Sequence, residues 1–129
     1  MVDTMSTQDE IDLSKDSAVE AVTATFSITE TEQVASESEK GTGTYERITV
    51  ESEDYPLPIN LRFFTEYESK VGKDTNWVAR QRGQLKLLAK AVFGEPIWNR
   101  DNAVGKSFVA TTKDDGSGYP TLGRFKAAE

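Results

Sequence analysis

The chain has 129 residues, with 22 Asp and Glu against 15 Lys and Arg, and it contains neither Cys nor His. Those two absences exclude a disulfide framework, a thiol nucleophile, a Cys/His zinc site and a Ser-His-Asp triad. The net charge of -7 is unevenly spread: residues 1–69 hold sixteen acidic and four basic side chains, residues 70–129 six and eleven, so -12 is set against +5. An acidic total argues against nucleic acid as a partner, but a locally basic half does not.

Residues 1–18 are polar and acidic, with Asp9, Glu10, Asp12 and Asp16, and read as a disordered tail. Residues 19–129 are expected to form one β-rich domain. The Thr- and Val-rich stretch 19–34 alternates and predicts a strand, with Phe26 and Ile28 facing the core. ASESEKGTG at 35–43 reads as a polar loop. Tyr45, Ile48 and Val50 mark a second strand, making a hairpin. Pro56 and Pro58 interrupt the pattern. A third strand follows over INLRFFTEYE, with Ile59, Leu61 and Phe63 on one side and Asn60, Arg62 and Phe64 on the other. Phe64 is an aromatic on the polar face. It covers a second apolar layer or stands as a stacking platform.

VGKDTN is a turn, and a helix is expected near 76–93, with Asp74, Thr75 or Asn76 as cap and Gly94 as stop before Pro96. Val78, Gln81, Leu85, Leu88 and Val92 define its buried stripe, with Arg82, Lys86 and Lys90 in a separate row beside it. Gly83 sits inside this helix despite a cost of about 1 kcal/mol relative to Ala, for which close approach of another backbone is one physical reason. Residues 95–105 read as a loop or short turns. KSFVATTK then predicts a strand, DDGSG a turn, and YPTLGRFKA a last strand anchored by Tyr119, Leu122 and Phe125, with Pro120 favouring an edge.

Catalytic and metal signatures are weak. VGKS at 104–107 lacks the earlier glycine of a phosphate loop, because Arg100 occupies that place, and the residues after Gly105 read as strand where such a loop needs a helix. Adjacent carboxylates such as Glu53/Asp54 and Asp114/Asp115 point to opposite faces of a strand or make turns. The spacing around Gly116 is not that of a calcium loop. No enzyme activity, metal or cofactor is expected. What remains is a basic half carrying aromatics. Candidate phosphate contacts are Arg62, Arg82, Lys86, Lys90, Lys106 and Arg124, and candidate base-stacking residues are Phe64, Trp77, Trp98 and Tyr119.

VARQRGQLKLLAKAVFGE, AVGKSFVATTK and YPTLGRFKA, together with the earlier GTGTYERITV, resemble a family of small phage-encoded proteins of poorly defined function. Genes of that family lie among recombination and replication genes, and its members are suspected single-stranded DNA binders. The resemblance covers roughly residues 41–127, with Tyr45, Leu88, Gly105, Lys106, Phe108 and Phe125 as the family-like positions. The acidic ASESEKGTG departs from the lysine- and glycine-rich hairpin expected there.

The expected fold is α+β: a small antiparallel β-barrel-like domain, of oligonucleotide-binding type or an open sheet, with one major helix. The expected function is noncatalytic single-stranded DNA binding in phage replication or recombination. The alternative is a protein-interaction module, either a virion component or an acidic DNA mimic that modulates a host enzyme. Expected partners are single-stranded DNA, a host or phage replication or recombination protein, and a second copy of the chain. No apolar run approaches the roughly 20 residues that span a bilayer, and the start lacks a signal-peptide pattern. The expected location is therefore the host cytoplasm, or the virion under the alternative.

Overall fold

The computed structural model describes residues 21–113 and 121–128. Five strands and two helices follow in order: β1 (Thr23–Ser38), β2 (Gly41–Ser52), β3 (Tyr55–Ser69), α1 (Asn76–Phe93), α2 (Arg100–Ala103), β4 (Ser107–Lys113) and β5 (Thr121–Ala127). The strands form one antiparallel sheet in the order β3-β2-β1-β4-β5. The architecture is α+β, and the sheet is not closed into a barrel. The edges β3 and β5 nevertheless come round toward each other, and Phe63 meets Phe125 at 6.5 Å between ring centroids. The expected acidic tail, the DDGSG turn, Tyr119 and Pro120 lie outside the described residues.

β1 joins the two parts of the sheet. Thr23–Ser27 pair with β4, while Ser27–Ser38 pair with β2, with an extra residue, Thr29, between Ile28 and Glu30. A bulge of this kind bends the strand and shifts its facing pattern by one residue. Ala24, Phe26 and Ile28 are buried before it. Beyond it, the inward positions hold Thr31 and Gln33, so the apolar alternation stops although the strand does not. The loop expected at 35–43 is therefore almost all strand: β1 runs to Ser38, β2 starts at Gly41, and only Glu39 and Lys40 turn. The strand expected from residue 59 also begins earlier, at Tyr55, and includes Pro56 and Pro58. β3 is an edge strand, where a missing N–H breaks no ladder bond on the open side.

The core lies between the concave face of the sheet and α1. Phe26, Ile28, Ile48, Val50, Ile59, Leu61, Leu88 and Phe108 are its largest fully buried side chains. Phe26 and Phe108, paired across β1 and β4, stack at 6.1 Å. α1 contributes Val78, Leu85, Leu88 and Ala89 to the buried side. Val92 is only half-buried, and Gln81 spends its side chain on a hydrogen bond to β3. At the start of α1 the capping work falls to Asp74, whose Oδ1 accepts from the Asn76 backbone N–H at 2.7 Å, while Thr75 makes no side-chain cap bond. Gly94 ends the helix in a left-handed conformation (φ 78°), and its N–H donates to the Lys90 carbonyl. Among the described residues, no helix is long and apolar enough to cross a membrane.

Candidate nucleic-acid interface

The face of β1–β3 turned away from the core is set by register. Glu32, Arg47 and Arg62 lie in one row, Val34, Tyr45 and Phe64 in the next, and Ser36, Gly43 and Tyr67 beyond them. The bulge at Thr65, between the pairs Thr44–Glu66 and Tyr45–Phe64, keeps Phe64 and Tyr67 on the same side although they are three apart. The two glycines of GTGTY leave that face bare. A Cβ on Gly43 would lie 2.8 Å from Tyr67 Cδ1 and 2.5 Å from the Glu66 carbonyl oxygen, and one on Gly41 would collide with the Tyr67 ring and the Glu68 carbonyl. Tyr67 thus lies down over a slot made by glycine.

Four rings gather around that slot. Tyr45 and Phe64 are 5.1 Å apart, Phe64 and Trp77 5.2 Å, Tyr67 and Trp77 5.1 Å, and Phe64 and Tyr67 5.9 Å, in tilted or edge-to-face pairs. All four are half-buried, and none belongs to the core cluster. The Arg62 guanidinium carbon sits 5.7 Å from the Tyr45 ring centroid, within cation–π range. Neighbouring Arg47 is held by Glu30 and Glu32, the latter at 2.9 Å; among the described residues no ion pair involves Arg62. At the far end, Lys40, Val71, Lys73 and Asp74 border a hollow shared with Tyr67 and Trp77. The patch therefore offers π faces in its middle and cations at both ends, with Asp74 beside the far pair and Glu66 and Glu68 flanking Tyr67. Phe64 and Trp77 were anticipated from sequence as stacking residues, and Tyr45 was marked only as family-like. Tyr67 was missed. Its signal was the pair of glycines two apart, which bares one face of a strand.

A groove of about 540 Å³ lies on the other side of the β3 bulge, lined by Thr65, Arg82, Gly83, Leu85, Lys86, Ala89, Pro96 and Trp98. It brings together Arg82, Lys86 and Trp98, three of the anticipated site residues. Gly83 meets no other backbone, since a Cβ there would find nothing within 4 Å. The expected close approach is absent, and Gly83 instead leaves the groove open. Lys90 continues the same helix row one turn on. Lys106, before β4, and Arg124, in β5 with a left-handed φ of 55°, line neither the groove nor the aromatic patch. All six anticipated phosphate contacts are exposed.

Trp98 is fixed by a residue that the sequence did not single out. Glu46 is 2% exposed, on the inward parity of β2 shared with Ile48 and Val50. Its carboxylate accepts from Trp98 Nε1 at 3.1 Å and from Arg100 Nε at 2.9 Å, with Arg100 Nη2 completing a two-pronged pair. Hydrogen bonding to Glu46 raises the Arg100 guanidinium above its ordinary value. A raised cation keeps its stabilising charge until pH climbs past that value, so Arg100 stays charged except in strong alkali. The pair pins the segment between α1 and β4 against β2 and sets the far wall of the groove. Set against protein-family models, curated proteins and solved structures, the chain matches none of them.

Proposed function

We propose that the protein binds single-stranded DNA without catalysis, in the phage replication or recombination setting that the sequence resemblance implies. The observation that carries this reading is the outward patch of Tyr45, Phe64, Tyr67 and Trp77 with Arg62 over Tyr45. Four rings outside the core offer π faces to unpaired bases, and a cation beside them can neutralise the backbone. The fold supports the reading as an oligonucleotide-binding type. It has five strands, β1 shared between β2 and β4, a helix between the third and fourth strands, and edges that approach without pairing. Such folds are partly open barrels that bind oligonucleotides on the face around strands 2 and 3, where the aromatic patch lies.

The test is anisotropy of a labelled single-stranded oligonucleotide across a salt series. Phe64→Leu and Trp77→Leu keep the positions apolar and remove a π face. Each is expected to weaken binding at least about fivefold, since one stacked base is worth about 1–3 kcal/mol. Arg62→Gln is expected to lower the salt slope by about 0.7, the value of one single-strand phosphate contact. Affinities equal to the parent in both leucine variants would end the reading. The competing protein-interaction reading predicts no shift even at about 50 mM salt, where electrostatic binding is strong.

A further inference from the structure

We infer that the groove beside α1 is a second nucleotide subsite, taking the next nucleotide of the strand that stacks on the aromatic patch. The inference rests on the single-stranded DNA reading of that patch. The two sites meet at the β3 bulge: Phe64 belongs to the patch and Thr65 to the groove, and the Phe64 backbone N–H donates to Gln81 Oε1 at 2.7 Å, one residue before Arg82. A strand leaving Phe64 across this edge therefore arrives at the groove.

The groove has the chemistry of a nucleotide. Leu85, Ala89, Pro96 and the Trp98 ring give it an apolar floor and wall, and its 540 Å³ falls in the roughly 300–1,000 Å³ range of small-molecule sites. Trp98 is held in place by its bond to Glu46, so the wall is preorganised. At the rim stand Arg82 and Lys86, four apart on one helix face and in no ion pair among the described residues. Like charges at that spacing repel, and a phosphate between them would relieve the repulsion. Gly83, which weakens the helix and touches nothing, lies between them in sequence. Two locally unfavourable choices, the like-charged pair and the helical glycine, converge on one groove. Breaches of local preference that gather at a single place mark a functional site rather than a scaffold.

Gly83 also supplies the test, because filling it should strengthen the helix while blocking the site. In Gly83→Leu the melting temperature is expected to rise by roughly 3–6 °C. Its affinity for a thymidine oligonucleotide of about 12 residues is expected to fall about tenfold, the worth of one stacked base with its phosphate. Affinity for a dinucleotide, short enough for the patch alone, should stay as in the parent. A stabilised variant that binds less cannot be explained by misfolding. Lys86→Gln supplies a second measure, with the 12-mer salt slope reduced by about 0.7. Unchanged 12-mer affinity in Gly83→Leu and an unchanged slope in Lys86→Gln, with Phe64→Leu still weakened, would remove the groove and leave the patch reading standing. A parent that binds neither oligonucleotide would remove both.

Discussion

Glu46 is the residue on which the α1–β4 connection depends, and its energetics are asymmetric. The Glu46 side chain is 3% exposed, whereas that of Arg100 is 38% exposed. Removing the cation leaves a carboxylate stranded in the interior. Removing the carboxylate charge leaves a guanidinium that water can reach. Breaking a buried pair costs about 3–5 kcal/mol, and the Trp98 N–H that still reaches Glu46 is a neutral donor that offsets only part of the lost charge. Arg100→Met is therefore expected to lose about that much, and Glu46→Gln about 1–2 kcal/mol, since the amide oxygen can still accept from Trp98 or Arg100. Urea midpoints for the two variants give the order directly, and a Glu46→Gln loss equal to or larger than that of Arg100→Met would refute the asymmetry. The sequence contained a clue to this pair. A charged residue at 46 shares its parity with Ile48 and Val50, so one face of the strand held two aliphatics and a carboxylate. Its partner, 54 residues away, had no local signature. Pattern reading recovers which face a residue takes, and long-range pairing of polar groups depends on the assembled fold.

At the scale of elements, strands were legible wherever one face was covered by apolar partners, and their limits were lost where that cover ended. The buried half of β1 alternates, but after the bulge it pairs only with β2, and its composition resembles a loop. The helix was recovered with its stop at Gly94, because glycine in a left-handed cap is a local signal. β2 shows where local preference misleads. Strand propensity alone favours Val over Gly at position 43. The structure predicts the opposite outcome, because the new Cβ would fall 2.8 Å from the Tyr67 ring and 2.5 Å from the Glu66 carbonyl oxygen. Gly43→Val is expected to cost about 1–3 kcal/mol, as overpacking does. It should also shift the tryptophan emission by moving Tyr67 away from Trp77. Thermal unfolding and fluorescence test the two effects together, and a variant as stable as the parent with unchanged emission would show that the glycine slot does not hold the ring. Half of the aromatic patch was legible in the same way. Phe64 broke the polar parity and Trp77 began the helix, but their meeting with Tyr45 and Tyr67 follows from register.

For the molecule as a whole, the charge of -7 changes meaning once it is placed on the fold. The described residues carry fourteen Lys and Arg against thirteen Asp and Glu, a net of +1. The division persists inside them: residues 21–69 hold ten acidic and three basic side chains, a net of -7, and the described residues from 70 on hold three and eleven, a net of +8, while residues 1–18 hold five acidic side chains and one lysine. The acidic terminal segment therefore precedes an acidic β1–β3, and the basic charge is carried by α1 and the elements after it. On the proposed reading, an acidic segment joined to a surface that bears Arg62, Arg82 and Lys86, which form no ion pair among the described residues, would compete with phosphates at a high effective concentration. Removing residues 1–18 is therefore expected to tighten oligonucleotide binding severalfold at low salt. The two kinds of contribution separate by ionic strength. Screening shortens the reach of charge to about 3 Å at 1 M salt, while stacking on Phe64 and Trp77 depends little on it. The gap between truncated and full-length protein should then close as salt rises, and the loss caused by Trp77→Leu should persist. Truncation that leaves low-salt affinity unchanged or lowers it would show that the acidic segment does not compete for this surface.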